Sequence, residues 1–264
     1  MKKGRTLKNA QIAGALLPAG LLAFGHAVAQ TPKDTTTGSR LAKPIDDTVM
    51  RRREQEKFIA DLARCAYNWA PAGVEKFLEN SDDFAVDNAA TGVKPRNLWP
   101  AYHIQVCGDR ALEEREDKVA YVGIGEREFR AMMLEPSYLA HHPAPPAWLN
   151  AWPGTPKRKF VSTGQALALA RLSGQFADCI VAGAPRLADN LLRTAKYSPE
   201  EGKAIGALVP YLGPCIVAGQ KAELTPVSIR NFVADGMWTA SRAFARGDLV
   251  QPPTPGGKYC LKSP

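Results

Sequence analysis

Apolar and polar positions along this chain recur with a helical period rather than an extended one. Between residues 162 and 183, Leu169, Leu172, Phe176, Cys179 and Ile180 fall near every 3.6 residues, which sets them on one face of a helix. Ser162 followed by Gln165 has the form of a capping box at its start. Pro185 suits the first turn of a second helix, reaching about Lys196 with Leu187, Leu191 and Leu192 inside. Ser198-Pro199-Glu200-Glu201 joins a capping hydroxyl, a proline at the first helical position and a closing acid. It predicts a third helix carrying Ile205, Leu208, Leu212, Cys215 and Ile216, kinked or split by Pro210 and Pro214. Thr225-Pro226 opens a fourth, with Ile229, Phe232, Val233 and Met237 inward.

The preceding stretch follows the same plan less regularly. Asp46 or Asp47 is expected to cap a helix through Phe58, Leu62, Cys65 and Trp69, and Pro71 opens a short second one. Residues 80–95 read as a loop, and Leu98 to Cys107 as a third helix interrupted by Pro100. Residues 118–124 suit a short extended piece, and Glu126 to Leu134 a fourth helix.

The two stretches align. With Cys65 on Cys179, an offset of 114, Leu62 meets Phe176, Pro71 meets Pro185, Val74 meets Ala188, and Phe77-Leu78 meets Leu191-Leu192. Cys107 meets Cys215 at offset 108, and Phe129 meets Phe232 at offset 103. The predicted fold class is all-α, with two similar units of about four helices each, packed as one helical domain or two subdomains. The units span 46–140 and 161–246. Residues 141–160, with five prolines, Trp148 and Trp152, form an ordered linker. Residues 30–45 and 247–264 read as a flexible lead and tail. Too few period-2 runs occur to build a sheet.

Composition narrows the class. Of 264 residues, 45% are hydrophobic and 23% charged, which excludes a disordered chain, a collagen-like repeat and a multi-span membrane protein. Residues 1–29 read as a secretory signal. Lys2, Lys3, Arg5 and Lys8 precede an apolar run, and Ala27 and Ala29 present small side chains for cleavage before Gln30. The mature protein is therefore expected in the periplasm or secreted, with no stable membrane span. Removing four of the 34 basic residues leaves 30 against 26 acidic ones, a net charge of +4. That balance argues against a nucleic-acid partner. The densest basic run, Arg51-Arg52-Arg53, is diluted by Glu54 and Glu56.

An exported chain with five cysteines is expected to form disulfides. The repeat selects Cys65–Cys107 and Cys179–Cys215, each inside one unit, over pairings across units. Cys260, with no counterpart in the first unit, is left unpaired or intermolecular. No C-x-x-C, H-E-x-x-H, G-x-S-x-G or phosphate-binding loop is present, and no cofactor, metal site or catalytic residue is assigned. His141-His142 reads as a solvated loop pair beside Pro143, and His103 as a packed or surface histidine on the Cys107 helix. Glu113, Glu114, Glu116 and Asp117 read as a self-paired charged face with Arg110 and Arg115. Trp99, Trp148 and Trp152 offer core and linker packing or, alternatively, a stacking surface for sugar or peptide.

The duplicated pattern, clearest from Phe176-Ala177-Asp178-Cys179 through Pro185 and from Tyr211 to Cys215, resembles uncharacterised exported proteins of alphaproteobacteria. The resemblance covers about residues 50 to 245 and implies fold and location but no activity. An exported helical binding or structural module, its partner an envelope protein or polysaccharide, is the expected function. The alternative is an envelope-directed enzyme with a dispersed acid/base site, or a regulator of an exported partner.

Overall fold

The computed structural model describes residues 52–113, 115, 122–150, 152, 154–217 and 224–250. Ala27, Ala29, Gln30 and Cys260 lie outside them. Most of the Glu114–Asp117 stretch and of the predicted extended piece at 118–124 does too.

The first unit comprises α1 (Arg52–Trp69), α2 (Pro71–Glu79), the single turns α3 (Asn88–Thr91) and α4 (Leu98–Ala101), α5 (Ile104–Glu113) and α6 (Glu126–His141). The second comprises α7 (Gly164–Gly183), α8 (Pro185–Arg193), α9 (Pro199–Leu212) and α10 (Pro226–Arg246). The fold is all-α. The one strand pair described, β1 (Thr155–Pro156) with β2 (Leu249–Val250), is two residues long and antiparallel. It ties down residues 249–250, which the sequence pattern left in the tail.

Local grammar accounts for most boundaries. Pro71 and Pro185 each occupy the first turn of their helices. Ser198 accepts from the Glu201 amide, and Thr225 and Ser228 cap one another. Three expectations change. Ser162 does not cap α7, because its hydroxyl and amide are both taken by Asp82. Pro210 leaves α9 continuous to Leu212, and Pro214 lies in a following 3-10 turn. Pro100 lies within a separate turn of helix, Leu98–Ala101, and the chain turns at His103, whose left-handed backbone (φ 53°) precedes α5.

The units are stapled alike. Cys65 of α1 bonds Cys107 of α5, and Cys179 of α7 bonds Cys215 after α9, both with Cα atoms 5.6 Å apart. These are the two within-unit pairs expected from the sequence. Val74, Phe77 and Leu78 of α2 are buried, as are Ala188, Leu191 and Leu192 of α8 at the aligned places. Phe77, Tyr102 and Phe129 pack their rings 4.4–6.0 Å apart in the first unit, and Phe176 meets Phe232 at 4.9 Å in the second.

The last helix of each unit, α6 and α10, meets the other across the centre. Their burial repeats at offset 100, not at the 103 suggested by Phe129 and Phe232. Phe129, Arg130, Met133, Leu134, Ser137 and Tyr138 are buried, and so are Ile229, Arg230, Val233, Ala234, Met237 and Trp238. Phe232 is only partly buried. In this register the ionic contacts are reciprocal. Arg130 of α6 pairs with Asp235 of α10 at 2.7 Å, and Arg230 of α10 pairs with Glu135 of α6 at 2.8 Å. A second exchange lies beside it. Tyr138 of α6 donates to Asp189 of α8 at 2.7 Å, while Trp238 of α10 donates to Glu75 of α2 at 3.4 Å. Asp189 and Glu75 are themselves 114 residues apart, the offset of the first helices. Each unit's second helix thus offers a carboxylate to the other unit's last helix, the reciprocity of a two-fold interface.

α10 also packs closely on α7. A Cβ on Gly236 would lie 2.7 Å from the Ala177 carbonyl oxygen and 2.6 Å from a Val181 methyl, so glycine is what permits this crossing.

Candidate functional site

A cavity of about 320 Å³ opens between the units. Its walls are the end of α2, the 81–83 loop, α7 at Ala170 and Gly174, the linker at 157–160 and one face of α10 from Trp238 to Arg246.

The floor is a continuous ionic chain. Arg158 forks onto Asp178 with bonds of 2.8 and 2.7 Å and reaches Asp235 at 2.6 Å. Asp235 takes Arg130 on its other oxygen, and Arg130 continues to Asp83 at 3.4 Å. Ser173 donates to the far oxygen of Asp83. Gly174 makes room for Arg158, whose Cδ lies only 2.8 Å from where a Cβ would stand. Burial drives all three carboxyls toward the neutral form. At Asp235 the two arginines outweigh it and hold the group below the usual carboxylate range. At Asp178 burial prevails over Arg158, and at Asp83 burial and the nearby Asp235 charge prevail over Arg130, Ser173 and Arg158, so both are raised.

Asp82 beside it behaves oppositely. Burial again works to raise it, but hydrogen bonds from the Ser162 hydroxyl and from the amides of Ser162, Phe84 and Val161 outweigh burial and lower it. Two neighbouring carboxyls at one cleft edge are therefore pushed apart in acidity. Asp82 is structural, since it binds the linker to the first unit, while Asp83 has a third of its side chain open to the cleft.

The mouth is basic. Arg242 and Arg246, one turn apart on α10, both reach Glu79 of α2, at 2.5 and 3.7 Å. Lys157 and Lys159 flank them from the linker.

Other candidates from the sequence fall elsewhere. His141 and His142 are not a solvated loop pair. His141 ends α6 with its ring 3.0 Å from Glu75, and His142 is half-buried with its ring 2.6 Å from Ser241. Burial and the neighbouring His141 lower the His142 pKa. Glu75 also accepts from Tyr67 and Ser137, and burial together with that carboxylate pushes the Tyr67 hydroxyl up to about 12. His103 stacks on Trp69 at 4.8 Å. Trp99 bonds the Ile124 carbonyl, and Trp148 is buried against Trp152, so these rings pack the core and linker rather than line a cleft. Arg115 of the charged stretch pairs with Asp61 of α1 at 2.6 Å.

Among the described residues no group of histidine, cysteine and acidic side chains could hold a metal ion, and no helix is long and apolar enough to cross a membrane. Comparison with protein families, characterised proteins and solved structures finds no match for this chain. Of the cleft's charged residues the sequence singled out only Asp178, as part of the Phe176–Cys179 pattern and with no role assigned. Arg130, Asp83 and Arg158 belong to no motif; the one signal is at Arg130 and Asp235, each a charge inside an otherwise apolar helical face.

Proposed function

We propose that this protein is an exported helical binding module, working in the periplasm or outside the cell, and that the cleft between its units is the ligand site. The observation that carries the reading is the cleft itself. It is open, lies where two units join, and has a floor locked by paired charges, so its walls are pre-organised. Its volume is at the low end for small-molecule pockets, which favours a sugar-sized group, free or at the end of a polysaccharide, over a protein surface. The signal-like N-terminus and the two disulfides support an oxidising compartment outside the cytoplasm. The reciprocal contacts of α6 and α10 support an origin by duplication, as in the exported alphaproteobacterial proteins the sequence resembles.

Native mass spectrometry of protein recovered from the envelope fraction tests this. Wild type should carry a bound species that Thr239→Trp, which fills the cleft from α10, loses. Absence of any bound species, or its persistence in Thr239→Trp, would overturn the reading.

One observation favours a second reading, an acid/base enzyme. Asp83, raised and facing the cleft beside the lowered Asp82, has the divergent acidity of a catalytic carboxyl pair. Under it, Asp83→Asn should trap intact a ligand that wild type returns chemically changed.

A further inference from the structure

We infer that the mouth of the cleft is a site for a phosphate-type oxyanion on a small molecule, and that Glu79 occupies this site when the oxyanion is away. The inference rests on the cleft being the ligand site and names the chemistry of its ligand.

Charge is the first observation. The floor arginines, Arg130 and Arg158, are committed to buried carboxylates. The mouth holds four cations, Lys157, Lys159, Arg242 and Arg246, against two carboxylates, Glu79 and Asp248. Lys159 turns to the Asn80 side-chain carbonyl at 2.9 Å, and Lys157 has no carboxylate partner among the described residues. The floor below has one more carboxylate than arginine and Asp82 lies at its edge, so the surplus of two positive charges makes the mouth the positive end of the cleft.

Geometry is the second. Two guanidinium groups converge on the single carboxylate of Glu79. Arg242 meets it end-on through one terminal nitrogen, and its Nε is buried with no acceptor. A guanidinium satisfied by an oxyanion bonds side-on through two parallel N–H groups. Swinging Arg242 off Glu79 onto an incoming phosphate would engage Nε and the terminal nitrogen together. Arg130, in the floor and 4% exposed, also has a buried Nε with no acceptor.

The other unit shows the satisfied arrangement. Arg193 of α8 stands where Glu79 stands on α2, 114 residues on, and reaches the backbone of His142, which stands where Arg242 stands, 100 residues back. Its guanidinium takes the His142 carbonyl at 2.9 Å, the Pro143 carbonyl at 3.1 Å and Asp189 through Nε at 2.8 Å. At that place oxygens of the linker and of α8 fill every donor group. At the open mouth the charges are exchanged: Glu79 stands at the place of Arg193, and the guanidinium facing it, Arg242, has that one carboxylate oxygen as its partner and an Nε with none.

Isothermal titration of the full mature protein with glucose 6-phosphate, inorganic phosphate and glucose tests the inference. The phosphomonoester should bind and glucose should not. Comparable affinity for inorganic phosphate would assign the site to the free oxyanion, and tighter binding of the ester to an esterified one. Arg242→Gln should weaken binding by about tenfold or more. Glu79→Gln should tighten it by about tenfold, because the competing carboxylate is gone. Raised salt should weaken it. Melting curves establish that both variants are folded. No heat with either oxyanion in wild type and Glu79→Gln, or an unchanged affinity in Glu79→Gln, would overturn the inference while leaving a cleft ligand of other chemistry in place. Oxyanion binding untouched by Thr239→Trp would overturn it by placing the anion outside the cleft.

Discussion

Arg130 and Asp235 face each other at 2.7 Å across the α6–α10 crossing, each only 4% exposed. The same pairing recurs with the helices exchanged, as Arg230 and Glu135. The apolar packing at the centre of the protein thus carries two ion pairs, one of them fully buried, and that buried pair is also part of the floor of the cleft.

A buried charge left without its partner is costly, so removing one member should be felt far more than losing a rim pair. Arg130→Met should lower stability in urea titrations by about 3–5 kcal/mol. Arg246→Gln, at a half-exposed site, should change it by no more than about 0.5 kcal/mol. Equal effects of the two would contradict this account of the crossing.

Gly236 and Gly202 separate packing from backbone freedom. Alanine at 236 must push α10 off the Ala177 carbonyl, and should cost about 1–3 kcal/mol. Gly202 in α9 has open space at its Cβ position, so Gly202→Ala should instead stabilise by about 0.4–1 kcal/mol. Thermal melts of the two variants should move in opposite directions.

Each disulfide closes a comparable loop, with separations of 42 and 36 residues. The loop-entropy relation gives about 4 kcal/mol for either. Cys65→Ala with Cys107→Ala, and Cys179→Ala with Cys215→Ala, should therefore destabilise to similar extents in guanidinium titrations. Peptide mapping without reduction should recover the two within-unit links. A link between Cys65 and Cys179 or Cys215 would refute the arrangement.

Asp82 should make stability pH-dependent in a stated direction. Its folded pKa is depressed, so its contribution is present above the unfolded value of about 3.9 and is lost as pH falls below it. Asp82→Asn removes a carboxylate that accepts from Val161 and Ser162 and should cost about 2 kcal/mol at pH 7. The gap between wild type and variant should close as titrations move from pH 5 to pH 3. A constant gap would mean that shape, not charge, is what Asp82 contributes.

The sequence by itself determined the helices, because what makes a helix here is local: a 3.6-residue apolar period, prolines in the first turns, and hydroxyl caps at Ser198 and Thr225. It also determined the cysteine pairing, since matching apolar flanks placed Cys65 and Cys179 on equivalent faces. Where it misled, a distant partner had claimed a group that local grammar assigned elsewhere. Ser162 looks like a cap, yet Asp82, 80 residues earlier, takes both its hydroxyl and its amide. Phe129 and Phe232 look equivalent, yet the register of α6 and α10 is set by the side each turns toward the other, and that contact selects Arg130 and Arg230. Only the tertiary structure decided the cleft. Its charges come from α2, the 81–83 loop, the linker and α10, and Arg130 and Asp235 stand 105 residues apart. Nothing in the local sequence of either distinguishes a buried, paired charge from a solvated one, because that difference is made by the element packed against it.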